Sequence, residues 1–275
     1  MQSSVPVTIE RIVRRMRGGS QSFLVFCDDG QHYVAKFQRN PQGNRTLVNE
    51  CIGGNLLRRL GVTTPTLRIL RLPDHLESDD LFFTTPDGRQ KIAAGIHFGS
   101  LCPVNPDRVA IYDFLPETLL EKLLVNGRDF ITTFVFDCWA GHKDSRQAIF
   151  YRNPSGKGYK ASLIDNGMLF GGADWKLFTS QILCRHFNRA AYRAPDMDLR
   201  KLAHEAIETI RGWTLSDIDE AFTSIPADWL DGDEDAFWKM AENLFARTDA
   251  IFVNTQEWLV SLKKFAFSHV QRKVR

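Results

Sequence analysis

The chain changes character near Pro116. Before it, apolar residues recur in short runs broken by Gly, Pro, Asn and Asp. After it they recur at helical spacing over long stretches, except in one hairpin-like segment. Strands first and helices after make an α+β fold the expectation. At 275 residues the chain can form one large domain or two lobes around a cleft. The expected division is a β-rich segment over 1–115 and a mainly helical one over 116–275.

Residues 7–38 read as an antiparallel meander. Thr8–Arg17 alternates loosely, with Ile9, Ile12, Val13 and Met16 among arginines, and Arg17-Gly18-Gly19-Ser20-Gln21-Ser22 breaks it. Phe23–Cys27 and His32–Phe37 are strands joined by the turn Asp28-Asp29-Gly30. A helix follows on the stripe Leu47, Cys51, Leu56, Leu57 and Leu60, closed by Gly61. Further strands are expected over Pro65–Leu72, Leu81–Thr85 and Lys91–Ser100, where His97 reads as a packed strand residue rather than a ligand.

Three features of this segment bear on chemistry. Gly18, Gly19 and Ser20 can expose backbone N–H groups to a phosphate, although a plain hairpin turn is built from the same residues. Lys36 lies in Val34-Ala35-Lys36-Phe37, a run that should be half buried, where lysine is seldom found without a partner. It either faces solvent or stands where a strand lysine holds nucleotide phosphates. Glu50 lies fourteen residues later on the helix. It is either a solvated acid or the group that orients such a lysine.

Past Pro116, helices are expected over Glu117–Val125, Asp129–Trp139 and Asp198–Arg211, and over Glu234–Ser268 with one break near Thr248-Asp249. Trp175–Ala194 is aromatic and basic with helical tendency, and Ser216 is expected to cap a helix with Asp219 in its first turn. There is no internal repeat and no low-complexity segment.

Apolar residues make up 43% of the chain and charged residues 25%, the balance of a globular protein with a sizeable core. The net charge of +2 gives no footing for direct nucleic-acid binding. No run reaches the roughly eighteen apolar residues of a membrane span, and the first residues lack the pattern of a signal peptide. Cys27, Cys51, Cys102, Cys138 and Cys184 are odd in number and scattered. That favours buried thiols in a reducing cytoplasm over a disulfide frame or a zinc site.

The chemistry concentrates between Phe134 and Gly172. An apolar helix ends at a polar loop carrying His142, Asp144, Ser145, Arg146 and Gln147. Two β-like runs follow, hinged on Asn153-Pro154-Ser155-Gly156, and the second ends in Asp165-Asn166-Gly167. Two acids about twenty residues apart, one in a loop and one at a strand end, suit phosphoryl transfer. One would orient the attacking hydroxyl and the other would hold Mg²⁺ against nucleotide phosphates. Taken alone, the same residues also fit a hairpin with its acids in solvent.

The pieces together resemble the HipA-like kinases, in particular short kinase-domain proteins of that group. The resemblance spans most of residues 8–225. It rests on Gly19-Ser20-Gln21, Tyr33-Val34-Ala35-Lys36-Phe37, Asn40-Pro41-Gln42-Gly43 with Asn49-Glu50, and His97-Phe98-Gly99-Ser100. It continues through Tyr112-Asp113-Phe114-Leu115-Pro116, Phe136-Asp137-Cys138-Trp139, Asp144-Ser145-Arg146-Gln147 and Leu163-Ile164-Asp165-Asn166-Gly167. It implies a two-lobed protein-kinase-like fold, with a β-rich N-terminal lobe, a mainly helical C-terminal lobe and a crossing near residues 98–115. It implies that Lys36 holds the α- and β-phosphates of ATP with Glu50 as partner, and that Gly19, Ser20 and Gln21 lie over the phosphates. Asp144 would be the catalytic acid of the loop, His142 its brace and Asp165 the ligand of Mg²⁺.

In one place the sequence departs from the family's pattern. Where related kinases carry an asparagine five residues after the catalytic aspartate, as second metal ligand, this chain has Ile149. Gln147 is the nearest amide and the candidate replacement. The implied activity is an ATP- and Mg²⁺-dependent serine/threonine protein kinase. A nucleotide-binding pseudokinase acting through a partner, or a kinase of small molecules, stays open.

Overall fold

The computed structural model describes residues 5–76, 78–177, 191 and 198–248. Its first half contains the strands β1 (Val7–Arg15), β2 (Phe23–Cys27), β3 (His32–Lys36), β4 (Leu67–Leu72), β5 (Phe82–Thr85), β6 (Gly88–Lys91) and β7 (Gly95–Leu101). The helix α1 (Arg45–Arg59) sits between β3 and β4. β1, β2, β3, β7 and β4 close a barrel in that order, and β5 and β6 form a separate hairpin. The expected meander is thus part of a closed barrel. Closure depends on β1 pairing in parallel with β4, Val7 opposite Leu70, and no local pattern encodes that pairing. The run expected over Lys91–Ser100 is divided: Lys91 ends β6, residues 92–94 belong to neither strand, and β7 starts at Gly95, whose φ of +139 suits glycine.

Alternation fills the barrel. Phe23, Val25 and Cys27 of β2 and Tyr33 and Ala35 of β3 point inward, joined by Phe37, Leu70 and Phe83. α1 packs on the outside of the barrel against β4, and its residues Thr46 to Gly54 are all buried. Two adjacent glycines set how closely α1 approaches its neighbours. A Cβ on Gly53 would stand 2.3 Å from Leu169 Cδ1, and one on Gly54 would stand 2.7 Å from Leu67 Cδ1. Glycine inside a helix costs up to about 1 kcal/mol relative to alanine, and here it permits that contact.

β8 (Ile111–Tyr112), β9 (Gln147–Arg152) and β10 (Tyr159–Ile164) form a three-stranded sheet in the order β10-β9-β8. α2 (Glu117–Leu123), α3 (Arg128–Ala140), α4 (Leu199–Arg211) and α5 (Leu215–Phe222) supply the helical half, followed by a 3-10 turn at Ala227–Trp229 and a helix over 234–248. α1, α3, α4 and the sheet share one large core that includes Phe98, Phe134, Phe136, Trp139 and Phe150. The cap of α5 lies two residues before the expected one, at Thr214 rather than Ser216. Thr214 and Asp217 form a reciprocal capping box, with Thr214 Oγ1 accepting from the Asp217 N–H and Asp217 accepting from the Thr214 N–H at 2.7 Å. Most of Trp175–Ala194, the expected break at Thr248-Asp249 and the continuation to Ser268 lie outside the described residues.

Cys27, Cys51 and Cys102 are free thiols, whereas Cys138 is disulfide-bonded, which corrects the expectation that the chain makes no disulfide. Burial pushes the Cys27 and Cys51 thiols up to about 12 and Cys102 up to about 11, so none is a ready nucleophile. Among the described residues no helix is long and apolar enough to cross a membrane.

His97 lies inside the barrel against Phe37. Its Nδ1 accepts from the Gln38 N–H at 3.1 Å, and its Nε2 is 3.1 Å from the Ala93 carbonyl. Burial lowers its pKa to about 4, against a partial opposing effect of the Ala93 hydrogen bond. A base whose folded pKa is depressed binds its proton first in the unfolded chain. Its stability contribution is therefore full above about pH 6.5 and is lost as pH falls through about 4. Stability should drop by about 3 kcal/mol across that window. The check is urea unfolding against pH: His97→Gln should flatten the slope, and an unchanged slope would assign the acid sensitivity elsewhere.

Candidate active site

Period-two alternation on β3 decides where Lys36 points. Tyr33, Ala35 and Phe37 fill the barrel, so Lys36 turns outward beneath α1. Glu50 projects from α1 toward it, and Lys36 Nζ pairs with Glu50 Oε1 and lies 3.0 Å from Asp165 Oδ1. Burial alone would lower the Lys36 pKa, but the Glu50 and Asp165 carboxylates outweigh it and hold the ammonium above its usual range. Burial would likewise raise Asp165, yet the Lys36 charge and hydrogen bond hold its carboxyl below the usual range. Lys36 and Asp165 are thereby each held charged by the other.

Asp165 follows β10 in the left-handed region, φ +64, a placement that costs an L residue roughly 1–2 kcal/mol. Its contacts hold it there. Gln147 Nε2 donates to Oδ2 at 2.7 Å, Lys36 donates to Oδ1, and His142 Nε2 lies 3.1 Å from the main-chain carbonyl. His142 Nδ1 lies 2.6 Å from the Asp144 carbonyl, so one buried ring ties the Asp144 loop to the Asp165 loop. That loop starts where α3 stops. Gly141 adopts φ +66, its N–H and that of His142 both reach the Asp137 carbonyl, and a Cβ there would meet Leu177 Cδ1 at 2.5 Å. Asp144 is exposed and accepts from the Ser145 N–H at 2.7 Å.

Lys36, Glu50, Asp165, Gln147, His142 and Asp144 are therefore brought into one connected set. Gly19, Ser20 and Gln21 are not bonded to it among the described residues. The Gln21 amide is spent on the Thr84 main chain, donating to its carbonyl at 2.7 Å and accepting from its N–H at 2.8 Å. Ser20 is buried, and a Cβ on Gly19 would stand 2.8 Å from Gln42 Nε2. Ile149 sits half-buried on β9 opposite Ser162.

Four more residues hold the site: sequence reasoning assigned no role to Asp137, Asn166 and Asn49, and expected Arg146 as a polar partner of Asp144, whereas it turns to other groups. Arg146 forms a buried pair with Asp137 and donates to the Ile164 carbonyl at 3.1 Å and to Asn166 Oδ1 at 2.6 Å. The Asn166 N–H donates to Glu50 Oε2 at 2.9 Å. Asn49 Nδ2 donates to the Gly167 and Leu169 carbonyls at 2.8 and 3.0 Å, while its Oδ1 accepts from Trp175 Nε1 at 2.7 Å. The available signal was polarity in the wrong place: Asp137 and Asn49 interrupt apolar helix faces, where such groups survive only with partners.

The donor set can be tested against the divalent cation that the family implies. Of the two carboxylates paired with Lys36, Asp165 is the one with an exposed edge, its side chain 32% exposed against 5% for Glu50, with the Gln147 amide beside it. Mg²⁺ takes one or two protein carboxylates, phosphate oxygens and waters, so this set fits it without a protein cage.

A strand lysine paired with a helix glutamate, a loop acid, and an acid after a second strand, set on a barrel and a helical half, define a protein-kinase-like α+β protein. The HipA-like kinase family matches over residues 9–256, and the chain belongs to that family. Among solved structures it is similar to the Helicobacter pylori proinflammatory kinase CtkA, at 13% identity and TM-score 0.50, covering 90% of this chain and 99% of that one. It is also similar to hydra Fam20 with sugar (13% identity, TM-score 0.48, 92% and 85% covered). A Golgi casein kinase with Mn/ADP bound gives 11% identity and TM-score 0.45, with 90% and 72% covered. The CtkA likeness shows the fold; the other two add nothing to it. No curated protein matches the chain in sequence.

Proposed function

We propose that the protein is an ATP- and Mg²⁺-dependent kinase that phosphorylates serine or threonine of a protein acceptor. The nucleotide would lie between an N-terminal lobe, 1–115, and a C-terminal lobe, 116–275. The observation that carries this reading is Lys36 held charged between Glu50 and Asp165. In it, Lys36 binds the α- and β-phosphates and Glu50 fixes its direction. Asp144 orients the acceptor hydroxyl and takes its proton, and His142 keeps the Asp144 and Asp165 loops in register. Asp165, with Gln147 beside it, would hold Mg²⁺, which when bound supplies charge neutralisation at the phosphates. Gly19 and Ser20 would contribute main-chain N–H groups, and Gln21 braces their loop through Thr84. The protein would contribute position and charge rather than covalent chemistry.

Ile149 favours a second reading, a pseudokinase that binds nucleotide and acts through a partner. The contact from Gln147 to Asp165 speaks for the active enzyme, because an amide already stands beside the metal ligand. The test is labelled ATP with Mg²⁺ or Mn²⁺, supplied to the protein alone, with cell lysate and with small hydroxyl acceptors. Label should enter protein in wild type and be lost in Asp165→Asn, and Lys36→Ala should bind ATP more weakly by calorimetry. ATP that binds as tightly with chelator as with Mg²⁺, and as tightly to Lys36→Ala, would sink the reading; binding without transfer would favour the pseudokinase. For location, the free thiols support a reducing cytoplasm and the disulfide at Cys138 speaks against it.

A further inference from the structure

Glu50 meets Lys36 only while α1 keeps its rotation and depth. At about 100° per residue, Arg45, Asn55 and Arg59 lie roughly 140–180° around the helix from Glu50. All three are gripped from the C-terminal half of the chain. Arg45 Nε and Nη2 donate to Asp233 Oδ2 and Oδ1 at 2.6 and 2.7 Å, and its guanidinium lies 4.5 Å from the centre of the Trp175 ring. Asn55 Nδ2 donates to Ser224 Oγ at 3.1 Å. Arg59 pairs with Asp217 and, at 3.2 Å, with Glu220.

The anchors are fixed points. Asp217 closes the capping box of α5, and Asp233 precedes the helix over 234–248, its carbonyl accepting from the Phe237 N–H at 2.8 Å. Between them, Trp229 Nε1 reaches the Ile96 carbonyl on β7 at 3.3 Å, so the same segment touches the barrel. An exposed ion pair holds little, and Arg59 is of that kind. The Arg45–Asp233 pair differs: it is two-pronged, stacked on an indole, and only 27% exposed on the arginine side.

We propose that residues 214–233 form a strap that seats α1 with Glu50 on Lys36, with Arg45 and Asp233 as positioning residues. The helix then needs no external activator to reach its paired position. The catalytic consequence rests on the function proposed above; the seating of α1 does not.

The experiment is amide hydrogen exchange on the full chain, run beside ATP kinetics. Arg45→Ala and Asp233→Ala should each raise exchange in the first half of α1 by about tenfold while β2 and β3 keep wild-type protection. They should lower kcat by about tenfold with KM for ATP within about twofold, because alignment rather than binding is lost. The reversed pair, Arg45→Asp with Asp233→Arg, should recover most of both losses. Where a single alanine variant fails to fold, Arg45→Gln removes the charge with less loss of packing and is read the same way. The strap is overturned if α1 exchange is unchanged, if the barrel loosens equally, or if reversal does no better than the single changes. A wild type that binds no MgATP by calorimetry removes the kinase reading and leaves the exchange comparison to decide the strap.

Discussion

Under the proposed function, replacing Asp144 by alanine should cut phosphoryl transfer by on the order of a hundredfold or more and leave ATP affinity near wild type. The expectation follows from where the carboxylate sits. Asp144 is exposed on a loop pinned at both ends by packed structure, at Gly141 by the α3 cap and at Gln147 by β9. His142 grips its main chain, and Ser145 engages one carboxylate oxygen. The other oxygen can accept from an incoming hydroxyl, and positioned proton acceptors of this kind contribute roughly 10²–10⁴-fold. Nothing ties the side chain to Lys36 or Glu50, so nucleotide affinity should stay. An Asp144→Ala protein with wild-type turnover would remove the catalytic assignment. Loss of affinity together with turnover would recast the residue as structural. Gln147→Ala, measured in the same assay, separates the amide's part from the carboxylate's.

Arg146→Ala should destabilise the protein by about 3–5 kcal/mol. Arg146 and Asp137 are 4% and 2% exposed, and Arg146 Nε donates to Asp137 Oδ2 at 3.0 Å. Removing the cation strands a carboxylate inside α3, far from water, and also frees Asn166 Oδ1 and the Ile164 carbonyl. Replacing both partners, Asp137→Leu with Arg146→Met, removes the stranded charge and should return much of the stability. It should not return activity, because Asn166 then loses the bond that sets it beside Glu50. Denaturant unfolding of the two proteins decides the matter. A single-variant loss under about 1 kcal/mol, with the double variant no better, would mean that water or a neighbour solvates Asp137.

Much of the site was legible in one dimension because each signal is local. Alternation along β3 sends Lys36 away from the barrel interior, whatever the rest of the chain does. Helical spacing puts Glu50 on α1, Gly141 stops α3 where a loop must begin, and Asp165 ends a strand beside an Asn-Gly turn. Local signals also misplaced a helix cap by two residues, since Thr214 and Ser216 are both good caps and the reciprocal bond to Asp217 chooses between them. The change of pattern near Pro116 carried the α+β class.

What the sequence could not encode are pairings between distant residues, which form only when separate elements meet. Closure of the barrel needs Val7 beside Leu70. The Gln21 amide finds the Thr84 main chain across the loop and the β5–β6 hairpin, so a side chain expected at the phosphates is used as a brace. Asn49, Asp137, Arg146 and Asn166 are buried polar groups that lie in the motifs of the resemblance, yet nothing local in the sequence names their partners. Their partners lie up to 126 residues away, as Trp175 does from Asn49. Periodicity reports which face of an element is apolar and nothing about which other element covers it. The sequence by itself determined the element types and which side chains stand at their ends and faces. The tertiary structure alone decided which charges meet, because a buried polar group is tolerated only where folding delivers its partner.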